Sequence, residues 1–275
     1  PDLAPIGREL AGYGITAVTD ATPDLQQVAV SAFPAVPQRV TLLGLPLDAR
    51  PPEGVAVGPY KIVLADPELP GLDDVVGRIR VAHDVGRAVA VHSVTRESLV
   101  LLLAALQITG RHPDDRIEHA ALVPPELVPE LRGLAIVTQP GFLADRGDTY
   151  RRRIPEDEHP DLYRCRSLLT AGVPLALSSD APYGPVDPWT VLRAATDRRT
   201  PDGTPLNPAE ALTPRQALDA LLTPPHAPGG RPRRIVPGAP ADLLLLHTPL
   251  SEALRHPSAA LVRATLIDGS PHGLG

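Results

Sequence analysis

The sequence predicts an α/β fold built as a (β/α) barrel, and three observations carry that expectation. Seven short apolar runs, each bounded by turn residues, recur up to residue 182 of the 275-residue chain. Amphipathic helical stretches lie between many of them, and strands alternating with helices make a parallel sheet covered on both faces. No G-x-G-x-x-G turn follows the first run, so the dinucleotide signature of the rival doubly wound sheet is missing.

The strand runs, in order, are "GITAVTDA" (14–21), "RVTLLGLPL" (39–47), "YKIVLAD" (60–66), "AVAVHSV" (88–94), "RIEHAAL" (116–122), "LAIVTQP" (134–140) and "PLALSSDAP" (174–182). The stretch 71–86 has Leu72, Val75, Val76, Ile79 and Ala82 on one helical face. "RESLVLLLAALQITG" and "LYRCRSLLTAG" read the same way, and each closes on a C-cap type glycine. "PWTVLRAATDR" and "TPRQALDALL" are the last two helical stretches. Beyond residue 225 the texture turns Pro/Gly-rich. It then yields two strands, "ADLLLLH" and "ALVRATLIDG", with an Asp-Gly turn and no helical crossover. The expected division is a barrel over 1–225 and a small β-appendage over 226–275.

Composition narrows the function. Hydrophobic residues are 43% and aromatics 3%, so the core must be built from Leu, Val, Ala and Ile. A net charge of -6 gives no basis for a nucleic-acid or membrane partner. The basic runs Arg151–Arg153 and Arg231, Arg233 and Arg234 read as solvated loops. One cysteine, Cys165, allows no internal disulfide and fits a reducing, cytoplasmic setting; on its helix it reads as packing, not as a nucleophile. No signal peptide opens the sequence and no run reaches membrane-span length. The 35 prolines fall mostly between apolar runs, so they punctuate loops and do not signal disorder.

Four polar residues interrupt or end the strands: Lys61, His92, His119 and Asp180, separated by 31, 27 and 61 residues. A barrel unit is about 31 residues, which puts the first three on consecutive strands and Asp180 two strands on. The two histidines and Asp180 close their runs at the carboxyl end, where barrel active sites form; Lys61 comes earlier in its run. Residues i and i+2 share a strand face. Val63 and Ala65 accompany Lys61, Ala90 accompanies His92, Ser178 and Ala176 accompany Asp180, and the larger apolar groups take the other face. Singly, each has an ordinary structural explanation: a hydrogen-bonded rim histidine, a snorkelling lysine, a turn-starting aspartate. Together they are buried, polar and convergent, and a metal satisfies all four. A lysine joins such a set once its amine has combined with carbon dioxide as an anionic carbamate.

These segments, with "VAVHSVTRESL", "RIEHAALVPPE", "SLLTAGVPLALSSDAPYGPVDPW" and "VPGAPADLLLLHTPL", resemble the amidohydrolase superfamily, and within it the family-3 amidohydrolases. The resemblance runs in order along nearly the whole chain. It implies a (β/α)8 TIM-type barrel with a small β-sandwich domain, and hydrolysis of C–N bonds in a small molecule by metal-activated water. By resemblance Lys61 is the carboxylated bridging ligand, His92 and His119 bind a divalent metal such as zinc, and Asp180 binds metal and moves the proton of the attacking water. Gln139 and Tyr183 are weaker candidates for substrate contact. The family's first strand carries His-x-His, and this sequence has none. The seven strands are therefore expected to be strands two to eight, with the last two strands a remnant of the sandwich. Expectations that follow are one well-held ion at most, and a gap beside "GITAVTDA" and "PLALSSDA" relieved by closure as a seven-stranded barrel, by cover from residues 1–13 or by pairing with another chain, in a chain prone to self-association with little activity. A non-catalytic barrel with an incomplete site, and an esterase-type hydrolase, remain the alternatives.

Overall fold

The computed structural model describes residues 2–66 and 68–274. Three parallel strands come first: β1 (Ala17–Asp20), β2 (Arg39–Leu42) and β3 (Val55–Val57), hydrogen-bonded in that order. Five more follow, again parallel and in chain order: β4 (Tyr60–Val63), β5 (Val89–Ser93), β6 (Arg116–His119), β7 (Ala135–Thr138) and β8 (Leu175–Leu177). Strands β3 and β4 are two parts of one extended segment interrupted at Gly58 and Pro59. The Gly58 amide donates to the Leu42 carbonyl (2.9 Å) and the Lys61 amide to the Leu43 carbonyl (3.1 Å), so both parts lie along β2. Among the described residues no backbone hydrogen bond joins β8 to β1, and the barrel is not closed.

The helices are α1 (Ala4–Gly12), α2 (Gln27–Val30), α3 (Leu72–Asp84), α4 (Arg96–Thr109), α5 (Gly141–Arg153), α6 (Cys165–Thr170), α7 (Pro188–Asp197), α8 (Pro214–Leu221) and α9 (Leu250–Ala253). Local chemistry starts and stops them. Thr95 and Ser98 form a capping box ahead of α4, as do Thr213 and Gln216 ahead of α8. Asp187 accepts from the Trp189 amide at the head of α7, where Pro188 supplies a ready helical φ. Past α3, α4 and α6, Gly86, Gly110 and Gly172 take positive φ, as the sequence requires of a terminating glycine.

The main core lies between sheet and helices. Ile62, Val91, Ile117, Ile136 and Leu175 stand side by side across β4–β8 and are at most 2% exposed. They belong to one cluster with Val75, Ile79, Leu99 and Leu102 of α3 and α4. Each such buried aliphatic side chain contributes about 1.5–3 kcal/mol. Because strand side chains alternate, fixing these five on the helix side sends Lys61, His92 and Glu118 to the other face.

Three expectations need correction. Arg151–Arg153 are the last turn of α5 and not a loop; α5 escaped notice because its polar middle (Asp145 to Asp148) breaks the apolar stripe, while its basic end suits a helix C-terminus. The C-terminal sheet has three antiparallel strands, β9 (Leu243–Leu246), β10 (Val262–Ile267) and β11 (Ser270–Leu274), ordered β11-β10-β9. The third has no apolar run to show it. The link from β9 to β10 is not bare chain but carries α9.

The C-terminal sheet is tied to the start of the chain. Thr265 donates to the Ala11 carbonyl at the end of α1 (2.6 Å), and the Trp189 indole donates to the Tyr13 carbonyl (3.1 Å). Arg39 on β2 pairs with Asp242 (2.9 Å) and Asp268 (3.1 Å). The stretch 225–233 crosses from β8 to β1: Gly229 lies so close to Leu175 that a Cβ would sit 2.3 Å from its amide nitrogen, and Arg233 reaches the Thr16 hydroxyl (3.2 Å). No described helix is long and apolar enough to cross a membrane.

Candidate metal and catalytic site

Lys61 is the second residue of β4 and is 6% exposed. Among the described residues its amine has no hydrogen bond and no ion pair. Burial drives its pKa down; Glu118 and Asp180 pull it up, and Arg116 pushes it down again. Burial without a hydrogen-bond partner thus works against the ammonium form here, while the two carboxylates favour it.

His92 lies in β5, in register with Val63 on one side and Glu118 on the other. Its ring makes no hydrogen bond among the described residues. Burial, then the Lys61 charge, lowers its pKa. His119 ends β6. Simple alternation gives the inward place to Glu118, but His119 (φ 77°) and Ala120 (φ 45°) are left-handed, and the chain turns at the strand end. The ring comes to stand edge-on to His92, centroids 4.4 Å apart. Gln139 fixes its tautomer. The Gln139 amide nitrogen donates to the Val137 carbonyl (3.1 Å) and Ser178 hydroxyl (2.9 Å), so its oxygen faces His119 Nδ1 (2.8 Å) and accepts from it. The other ring nitrogen, Nε2, is left with a lone pair. Burial, His92 and Lys61 together bring the His119 pKa to about 4.

Asp180 lies three residues beyond β8 with φ 53°, so strand parity does not set its direction, contrary to expectation. Its carbonyl accepts from the Tyr183 and Gly184 amides (2.9 and 3.2 Å), closing a tight turn. A Cβ on Gly184 would lie 2.2 Å from the Ser179 carbonyl oxygen, which only glycine avoids. Burial raises the Asp180 pKa and Lys61 counters it.

The two weaker candidates lie in different surroundings. Gln139 is 2% exposed and its amide is committed to His119, Val137 and Ser178. The Tyr183 side chain is 70% exposed. Two residues were passed over. Arg116 and Glu118 form a buried ion pair on β6 (2.6 Å), and Arg116 also lies 3.5 Å from the Pro225 carbonyl. Burial would raise the Glu118 pKa, but Arg116, Lys61 and His119 outweigh it and hold it low. The alternation used for Lys61 would have found them, since "RIE" flanks an outward isoleucine with two charges.

Among the described residues no three His, Cys, Asp or Glu side chains stand close enough together to hold a metal ion. The donors that stand together are the His92 and His119 imidazoles, both with lowered pKa. Imidazole nitrogens are the donors that suit a zinc-like ion. Elsewhere, His83 binds Asp115 (3.0 Å), which also accepts from the Val89 and His112 amides (2.8 Å each) and clamps the start of β5. Cys165 is fully buried, with its thiol pushed up to about 11, which makes it inert.

The sequence profile of the amidohydrolase family matches residues 7–271. The chain belongs to the amidohydrolase family. The chain is 30% identical over 200 residues to N-substituted formamide deformylase of Arthrobacter pascens, a match covering 68% of this chain and 37% of that protein. This chain thus spans little more than a third of that relative's length. Its fold is similar to crystal structures of uncharacterized metal-dependent hydrolases from Pyrococcus horikoshii OT3 (TM-score 0.69, 20% identity, 79% of this chain and 52% of that one) and Pyrococcus furiosus (TM-score 0.67, 21% identity, 79% and 53%).

Proposed function

We propose that this amidohydrolase-family chain carries out, or forms part of, metal-dependent hydrolysis of an amide-type C–N bond in a small molecule. The observation that carries the reading is Lys61: a strand lysine only 6% exposed whose amine makes no hydrogen bond among the described residues, on the same sheet face as His92, whose ring stands edge-on to His119. On this reading the seven parallel strands are the second to eighth of a (β/α)8 barrel, and residues 226–275 belong to a β-sandwich.

A bound divalent ion supplies a Lewis acid and lowers the pKa of water towards about 7. His92 and His119 would hold it through ring nitrogens, with Gln139 keeping the His119 ring turned correctly. The Lys61 amine, on adding to carbon dioxide and giving up one proton, would offer the anionic oxygens of a carbamate. Asp180 takes the proton of the attacking water and delivers it to the leaving nitrogen. Its raised pKa suits that exchange.

Metal content tests the reading. The purified chain should hold one zinc equivalent, lost in Lys61→Ala and in His92→Ala, and carbon-13 bicarbonate should give a carbamate signal that Lys61→Ala removes. Zinc held equally well by those variants would sink it. No uptake from excess zinc would favour a non-catalytic barrel, the second reading, which the shortage of clustered donors supports. A panel of formamides, acyl amino acids and esters separates C–N from ester cleavage.

A further inference from the structure

Helix α4 differs from its neighbours on the side that faces water. From Ser98 to Thr109 it holds no charged residue. The exposed positions of α3, α7 and α8 include Arg78, Arg193 and Arg215. One face of α4 belongs to the core: Ser98, Leu99, Leu102, Ala105 and Leu106 are buried. On the opposite face Val100 and Ile108 are 48% and 52% exposed, Gln107 is exposed, and Leu101 and Ala104 are half-buried. A helix without charge on either face belongs inside a protein or an assembly, and α4 keeps one side in water.

The outward stripe is symmetric about Ala104. Leu101 and Gln107 lie three residues to either side of it, and Val100 and Ile108 lie four. Seven residues before it is Glu97, in the first turn of α4; seven after it is Arg111, just past the terminating Gly110. Both are exposed. Arg96 is engaged with Asp161 (3.5 Å), and among the described residues Glu97 has no ion pair. Arg111 donates through Nη1 to the Arg132 carbonyl (2.9 Å) and through Nη2 to the Glu130 carbonyl (2.7 Å), which pins its charge at the far end of the helix. We propose that this face is the contact of a two-fold dimer, with α4 of a second copy of this chain laid antiparallel across it at Ala104. In a two-fold contact residue i meets j wherever j meets i. Reversal about Ala104 sets Val100 of one copy by Ile108 of the other, and Glu97 by Arg111, twice over. A parallel pair would instead set Glu97 against Glu97 and Arg111 against Arg111, which like charges disfavour. The small Ala104 at the crossing point lets the two axes approach to about 8 Å. Charge is absent from the middle of the stripe and opposite in sign at its ends, which matches the division of an interface into core and rim. A 14-residue helix is about 21 Å long, so the contact is a small one and the dimer a reversible one. It closes at two copies, and it lies on the helix face turned away from the sheet that carries Lys61 and His92.

The test is the oligomeric state of the full chain, carried out in a Leu245→Lys background so that the exposed leucine of β9 does not compete. Sedimentation should show a monomer–dimer equilibrium below about 100 µM. Glu97→Arg and Arg111→Glu should each raise the dissociation constant about tenfold. Mixed together, the two variants should pair as tightly as the unaltered chain, because both end contacts are again opposite in sign; that recovery also shows that both fold. Ala104→Cys should join two copies by a disulfide in air with copper phenanthroline, since the symmetry axis brings the two thiols together. Arg78→Cys on α3 should not, and the native Cys165 is buried and inert. A monomer at every concentration overturns the proposal. So does a dimer that survives Glu97→Arg unchanged, or an Ala104→Cys chain that crosslinks no faster than Arg78→Cys.

Discussion

At the residue scale, His119 makes stability depend on pH. Its folded pKa of about 4 lies below the ordinary 6.5. Between those values the unfolded chain takes up a proton that the folded ring refuses, so the contribution is complete above pH 6.5 and is lost as pH falls towards 4. A shift of that size corresponds to about 3 kcal/mol. Urea midpoints of the metal-free protein should fall between pH 7.5 and 4.5, and His119→Asn should flatten part of the slope; unchanged midpoints would mean the ring is not buried as described. The Arg116–Glu118 pair gives a second prediction. Glu118→Leu strands a buried guanidinium and should cost about 3–5 kcal/mol, whereas Arg116→Met with Glu118→Leu should recover most of it. A double variant as unstable as the single one would contradict that. Lys61 and His92 were legible in the sequence because charge inside an apolar run is anomalous. Arg116 and Glu118 obey the same rule and were obscured by the histidine beside them. The turn at His119 was not legible at all, since left-handed φ at a non-glycine residue leaves no mark on composition.

At the element scale, the strands were read well and the helices unevenly. Regions such as α3 and α4 carry an apolar stripe and a terminating glycine, both visible in one sequence. Helix α5 lacks the stripe, because it covers polar groups at the mouth of the site, and α1 is short with its partners far along the chain. The turn after β8 depends on one residue. Gly184→Ala places a methyl group against the Ser179 carbonyl, and should cost about 1–3 kcal/mol while moving Asp180. Zinc held by His92 and His119 should survive that change, and hydrolytic turnover should not; equal loss of both would place Gly184 in general folding only. The Thr95 cap is simpler: Thr95→Ala should lower stability by about 1 kcal/mol in denaturant titrations, through loss of the box with Ser98.

At the scale of the whole molecule, the parallel order of the strands followed from alternation, whereas the count of strands left open whether the barrel closes. What the sequence hid was how the two ends of the chain meet. Among the described residues the unpaired edges include β1 and β8, each bonded to one neighbouring strand, and both outer strands of the C-terminal sheet, β11 and β9; on β9, Leu244 and Leu245 are exposed. Such edges pair with other chains. Sedimentation should show mass rising with concentration, and Leu245→Lys should reduce it; a monodisperse monomer at all concentrations would count against an open barrel. The Thr265–Ala11 contact joins residues 254 apart. During synthesis at about 5–20 residues per second, α1 is made roughly 13 to 50 s before β10. Throughout that interval α1 has only its early contact with residues 36–38, where Gln38 donates to the Gly7 carbonyl (2.9 Å), and lacks its cover from β10 and β11. Leu10 and Ala11, buried in the finished fold, thus stay incompletely covered on the ribosome until the C-terminal sheet has been made.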